Sequence, residues 1–113
     1  MDKSDALLAF GALSQPTRLD VLRLLIGAGR DGIPAGEIAT ALDVRQNTMS
    51  ANLSVLVAAG LIRNVREGRT IRYFADLDAL VGLIGYLMED CCGGRPDLCR
   101  PILAELCCGA RSG

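Results

Sequence analysis

The chain has 113 residues, half of them hydrophobic, with two phenylalanines, two tyrosines, no tryptophan and no histidine. That length holds one domain and not two, and burial through self-association would add to the stability of so small a unit. The net charge of −1 excludes a generally basic nucleic-acid binder, and the lack of histidine excludes Ser/His and Cys/His catalytic pairs. The average conceals an asymmetry. Between Val44 and Phe74 stand Arg45, Arg63, Arg66, Arg69 and Arg72 against Glu67 alone, a net +4, while the other residues carry seven basic and twelve acidic groups, a net −5.

The start, MDKSDALLAFGAL, carries Asp2, Lys3 and Asp5 without a cleavage pattern, so no signal peptide is expected. Lys3 to Leu13 sets Leu7, Phe10 and Leu13 at helical spacing, which predicts a short amphipathic helix. In SQPTRLDVLRLLIGAG, Ser14 or Gln15 offers a cap and Pro16 fits a first helical turn. Leu19, Val21, Leu22, Leu25 and Ile26 form an apolar stripe, and Gly27 and Gly29 are expected to end the helix. RDGIPAGEIATALDV reads as a turn, an extended pair around Ile33 and a short helix from about Ala35 to Leu42.

In RQNTMSANLSVLVAAGLI, Met49, Leu53 and Leu56 share one helical face, Gln46, Asn47, Ser50 and Ser54 lie largely elsewhere, and Gly60 closes the helix. Two short helices with a tight connection predict a helix-turn-helix, and small and amide side chains on the second suit base edges in a major groove. LIRNVREGRTIRYFADL changes period. Ile62, Val65, Ile71, Tyr73 and Phe74 flank REGR, which predicts a β-hairpin with arginines at and near its tip. A last helix from Leu77 to about Asp90 carries a broad stripe of Leu77, Leu80, Val81, Ile84, Leu87 and Met88, and GGRP stops it. RPILAELCC suits one more short helix. The longest strongly apolar uncharged run, Ala79 to Met88, is shorter than the roughly 18 residues of a membrane span, so a cytoplasmic protein is expected.

The order helix, helix, helix-turn-helix, arginine-tipped hairpin, helix is the winged helix-turn-helix arrangement. It accounts for the +4 segment, because recognition helix and wing are the parts that meet phosphate. ALSQPTRLDVLRLL and GEIATALDVRQNTMSANLSVLVAAGLIRNVREGRTIRYF, with the long closing helix, resemble the ArsR family of bacterial metalloregulatory repressors over about residues 5 to 90. The resemblance implies a fold that is mainly α with a small β-hairpin and a homodimer joined through its first and last helices. It also implies two recognition helices in successive major grooves of a double-stranded operator, about 34 Å apart. The broad stripes on residues 7–13 and 77–88 call for such a partner independently. Carried onto this chain, the DNA contacts fall on Arg45, Gln46, Asn47, Thr48, Ser50 and Asn52, with Arg66 and Arg69 gripping phosphate or the minor groove. Ser50 and Leu53 fit the family's pattern, whereas Ala51 and Asn52 stand where longer or basic side chains are frequent.

All five cysteines, Cys91, Cys92, Cys99, Cys107 and Cys108, follow the last helix. Cytoplasmic thiols stay reduced, and adjacent cysteines are poorly placed to bridge each other, so ligand or redox roles are expected before disulfides. One branch of the family holds thiols on the first helix of the helix-turn-helix, which has none here. Another uses histidine and carboxylates on the last helix, and the chain has no histidine. The resemblance therefore leaves the C-terminal cysteines as the sensing site.

Soft thiolates favour thiophilic ions, and arsenite or antimonite forms a pyramidal centre with three sulfurs. Cys91, Cys92 and Cys99, returned by GGRPDL, supply three, much as some arsenic-responsive repressors do with an adjacent pair and a third cysteine. No resident cofactor is expected. A fourth ligand from Cys107 or Cys108 would instead suit zinc, cadmium or lead. A thiol-redox switch and a metalloid chaperone without DNA function remain as alternatives. No phosphate loop appears, and no enzyme is expected. The expected organisation is a DNA-binding and dimerisation domain over residues 1–90 and a cysteine-rich tail over residues 91–113.

Overall fold

In the computed structural model, residues 1–89 are described; the cysteine tail and the short helix expected in RPILAELCC lie outside them. Helix α1, Lys3–Leu13, begins under a reciprocal cap: Asp2 accepts from the Asp5 N–H at 2.9 Å and Asp5 accepts from the Asp2 N–H at 3.3 Å. Its core face is Ala6, Ala9 and Ala12. The large side chains of the expected stripe turn outward instead, with Leu7 and Leu8 each 60% exposed and Phe10 40%. Small residues at that spacing let the α1 backbone lie close against its neighbours, which the periodicity of large residues concealed.

Gln15 caps α2, Pro16–Ala28, by accepting the Arg18 N–H at 2.8 Å, and Pro16 occupies the first turn. Val21, Leu22 and Leu25 are buried, while Leu19 and Ile26, seven residues apart on one face, stay exposed. Gly27 lies inside the helix; the chain turns only at Gly29. A 3-10 turn, Gly29–Asp31, leads to β1, Ile33–Pro34. That pair joins the wing as a third strand, so the expected hairpin is a three-stranded antiparallel sheet in the order β1-β3-β2. Two residues carry no alternation from which to foresee a partner forty positions on.

Helices α3, Ala35–Leu42, and α4, Gln46–Ala58, are joined by Asp43, Val44 and Arg45. Asp43 takes a left-handed conformation, φ 55° and ψ 51°, and the Val44 N–H closes back on the Ala39 carbonyl at 3.0 Å. Relief of that conformation makes Asp43→Gly stabilising by about 0.5–1 kcal/mol, net of the added freedom of the unfolded chain. Urea unfolding at fixed protein concentration, with an unchanged denaturant slope, checks this. Helix α4 ends in a Schellman motif, with the Leu61 N–H on the Leu56 carbonyl at 3.1 Å and the Gly60 N–H on Val57 at 3.0 Å.

Strands β2, Ile62–Glu67, and β3, Thr70–Ala75, pair from Ile62↔Ala75 to Glu67↔Thr70 around the loop Gly68–Arg69. Asp76 then caps α5, Leu77–Met88, by accepting the Ala79 N–H at 3.0 Å. Glu89 closes that helix, and Asp90 lies outside the described residues. The deepest core is Val21 and Leu25 of α2, Ile38 of α3, Met49, Leu53 and Leu56 of α4, and Leu61 ahead of the wing. This packing fixes α4 from behind and leaves its other face to solvent. No described helix is long and apolar enough to cross a membrane.

Candidate nucleic-acid interface

Burying Met49, Leu53 and Leu56 turns the leading edge of α4 outward, and Arg45, Gln46, Asn47, Thr48 and Ser50 are all exposed. No side chain caps the helix from Arg45, so the Gln46 and Asn47 N–H groups keep no side-chain partner. The Thr48 N–H is taken by Asn47 Oδ1 at 2.9 Å, which leaves the Asn47 amide hydrogens for an outside acceptor. An exposed helix N-terminus of this kind favours phosphate. From Gln46 to Ala58 the helix carries no charged side chain. Positive charge must come from Arg45 and from the wing.

On the wing, Arg66 near the end of β2 and Arg69 in the loop are exposed. Arg63 lies over the Phe74 ring at 4.8 Å from its centroid. Arg72 is committed elsewhere: its Nε donates to Glu67 at 3.0 Å and its Nη1 to the Asp31 carbonyl at 3.0 Å. The pair with Glu67 is exposed and adds little stability. Its effect is to tie β3 to the 3-10 turn and to cancel one charge of the +4 segment. The sequence did hold a signal, opposite charges five residues apart across a two-residue loop, which the charge count alone passed over.

Asn52 departs from the expected set of DNA contacts. It is 7% exposed, on the inner side of α4 between Met49 and Leu56, and its Oδ1 accepts from Arg18 Nη1 at 3.2 Å. A side chain enclosed in this way does not reach a base edge, and Asn52 is withdrawn from the interface. Among the described residues no three His, Cys, Asp or Glu side chains come together as a metal site. The expected ligands Cys91, Cys92, Cys99, Cys107 and Cys108 all lie outside those residues.

A short helix, a three-residue turn, a second helix with an uncharged polar edge and a wing carrying arginines define a winged helix-turn-helix DNA-binding domain. Residues 13–65 match a family of helix-turn-helix domains. The transcriptional repressor SdpR of Bacillus subtilis is 32% identical over 89 residues, which span 79% of this chain and 96% of the relative. An ArsR-like transcriptional regulator from Rhodococcus sp. RHA1 superposes with a TM-score of 0.69 at 30% identity, covering 91% of this chain and 92% of that one. A homodimeric winged helix-turn-helix DNA-binding domain from Mycobacterium bovis superposes with a TM-score of 0.61 at 30% identity, covering 77% and 81%. The chain belongs to the ArsR family of winged helix-turn-helix transcriptional regulators, and it is a DNA-binding regulator of transcription.

Proposed function

We propose that the protein is a homodimeric cytoplasmic repressor that leaves its operator when arsenite or antimonite binds Cys91, Cys92 and Cys99. The observation that carries this reading is the placement of all the sulfur directly behind α5, with Cys91 only two residues past Glu89. Arsenite condenses with three thiols, releasing three waters and forming three As–S bonds without any change of oxidation state. A centre closed there acts on the helix that leads back into the fold.

Dimerisation is supported by the unpartnered apolar faces of the first and last helices. Leu7 and Leu8 are each 60% exposed on α1, and Leu77, Val81 and Leu87 are 54–69% exposed on α5, which buries only Leu83. Large side chains left in water on two terminal helices are costly alone and stabilising when paired. On DNA, Gln46 and Asn47 suit adenine N6 and N7, and the methyl groups of Thr48 and Ala51 suit that of thymine. Arg45, Arg66 and Arg69 would hold phosphate.

The DNA half of this reading is tested by replacing Arg66 and Arg69 together with alanine. Affinity for any duplex should fall, and the slope of log affinity against log salt should shrink by about two, one per lost phosphate contact. Metalloid binding should be unchanged. A protein with no salt-dependent duplex binding to lose would instead be a metalloid chaperone. The second adjacent pair, Cys107 and Cys108, favours one further reading, a four-thiolate zinc, cadmium or lead site.

A further inference from the structure

We infer that Arg18 is a positioning residue that fixes the recognition helix α4 against the dimer-face helix α1, and that Asn52 is its receiver. This rests on the DNA-binding reading and adds the element that sets the angle of the reading helix.

Arg18 stands in the first turn of α2, where its own N–H is held by Gln15. Its side chain reaches two other helices. Nε donates to the Ala12 carbonyl at 2.6 Å, one of the last-turn acceptors that α1 leaves without a helical partner. Nη1 donates to Asn52 Oδ1 in the middle of α4 at 3.2 Å. One rigid guanidinium thus spans α1, α2 and α4, which a flexible ammonium cannot do in the same fork geometry.

Asn52 makes the case from the other side. It is the one polar side chain in the buried set among the described residues, in a helix interior where asparagine is a poor former. Its neighbours Met49, Leu53 and Leu56 are apolar and fully buried. Leucine or alanine there would serve helix and core better. A buried amide that costs desolvation and propensity is explained by the direction it imposes: its bond is satisfied in one placement of α4. Helix α1 carries the exposed Leu7, Leu8 and Phe10 face, so a change at that face reaches α4 through this bridge.

The test uses the full-length protein, a duplex it selects from a random-sequence pool, and a scrambled duplex of equal length. Asn52→Leu, similar in size, should keep or raise the melting temperature while the specific-to-scrambled affinity ratio falls about tenfold or more, the size of one lost base contact. Asn52→Asp should retain the ratio through a guanidinium–carboxylate pair, and Arg18→Lys should lower it. Hydrogen exchange gives a readout independent of DNA: amides of the first half of α4 should exchange faster in Asn52→Leu, with those around Leu25 unchanged. If Asn52→Leu does not fold, the Arg18→Lys and Asn52→Asp pair carries the same decision. An unchanged ratio with unchanged exchange overturns the positioning role. A parent protein that binds neither duplex overturns the DNA-binding reading itself, and the role with it.

Discussion

Arsenite added to the protein–DNA complex is expected to weaken binding by about 5- to 150-fold, the ~1–3 kcal/mol of coupling that regulators of this kind display. A switch from nearly full to nearly empty occupancy needs a differential of about 5.5 kcal/mol between the two states. Three thiolate bonds per subunit are strong enough for that, provided the liganded tail strains against the end of α5. The contrast between metals makes the expectation specific. Zinc under the same conditions should leave the complex intact, because a three-sulfur pyramidal site suits trivalent arsenic and lacks the fourth ligand that zinc takes in closed sites. Cys91→Ser, Cys92→Ser and Cys99→Ser should each block arsenite release and leave unliganded DNA affinity as it was. Fluorescence anisotropy at fixed salt on a duplex selected by the protein reads all of these. Release that survives all three serines, or release by zinc alone, would move the sensor to Cys107 and Cys108.

Replacement of Gly32 by alanine should cost about 3 kcal/mol, combining left-handed backbone strain with overpacking. Gly32 has φ 62°, and a Cβ there would sit 2.6 Å from the Phe74 ring and 2.6 Å from the Tyr73 carbonyl. The ring can swing, but the carbonyl belongs to β3 where Ile33 pairs with Tyr73. Relief therefore requires β1 to part from the sheet. At 4–8 °C per kcal/mol, the melting temperature falls by roughly 12–24 °C. Calorimetry of parent and variant at equal protein concentration checks this, since a dimer's melting point moves with concentration. A shift under 3 °C would mean that β1 is not anchored as described. DNA binding should suffer as well, because Phe74 also underlies Arg63.

Much of the outline was legible because local rules agreed with the fold. Asp2, Gln15 with Pro16, Gly60 and Asp76 mark helix ends through bonds of one to five residues' span, and these are properties of short sequence. The interior of α4 followed from Met49, Leu53 and Leu56, and its polar edge followed as the complement. The third strand did not, since Ile33 and Pro34 meet partners at Tyr73 and Arg72, and pairing over that separation leaves no mark in two residues. The role of Arg72 was hidden for the same reason: charge counting treats five arginines as equal, and only contact with Glu67 and Asp31 sets one apart.

The sequence by itself determined the element order, the turn between α3 and α4, the arginine-bearing wing and the gathering of every cysteine behind the last helix, because each depends on residue type and spacing along the chain. The tertiary structure alone decided which side of each helix is inside. It turned the alanines of α1 inward and its leucines outward, and it enclosed Asn52 against Arg18 thirty-four positions away. Periodicity ranks residues by hydrophobicity, whereas close packing between helix backbones selects by size and by the partner each buried polar group finds.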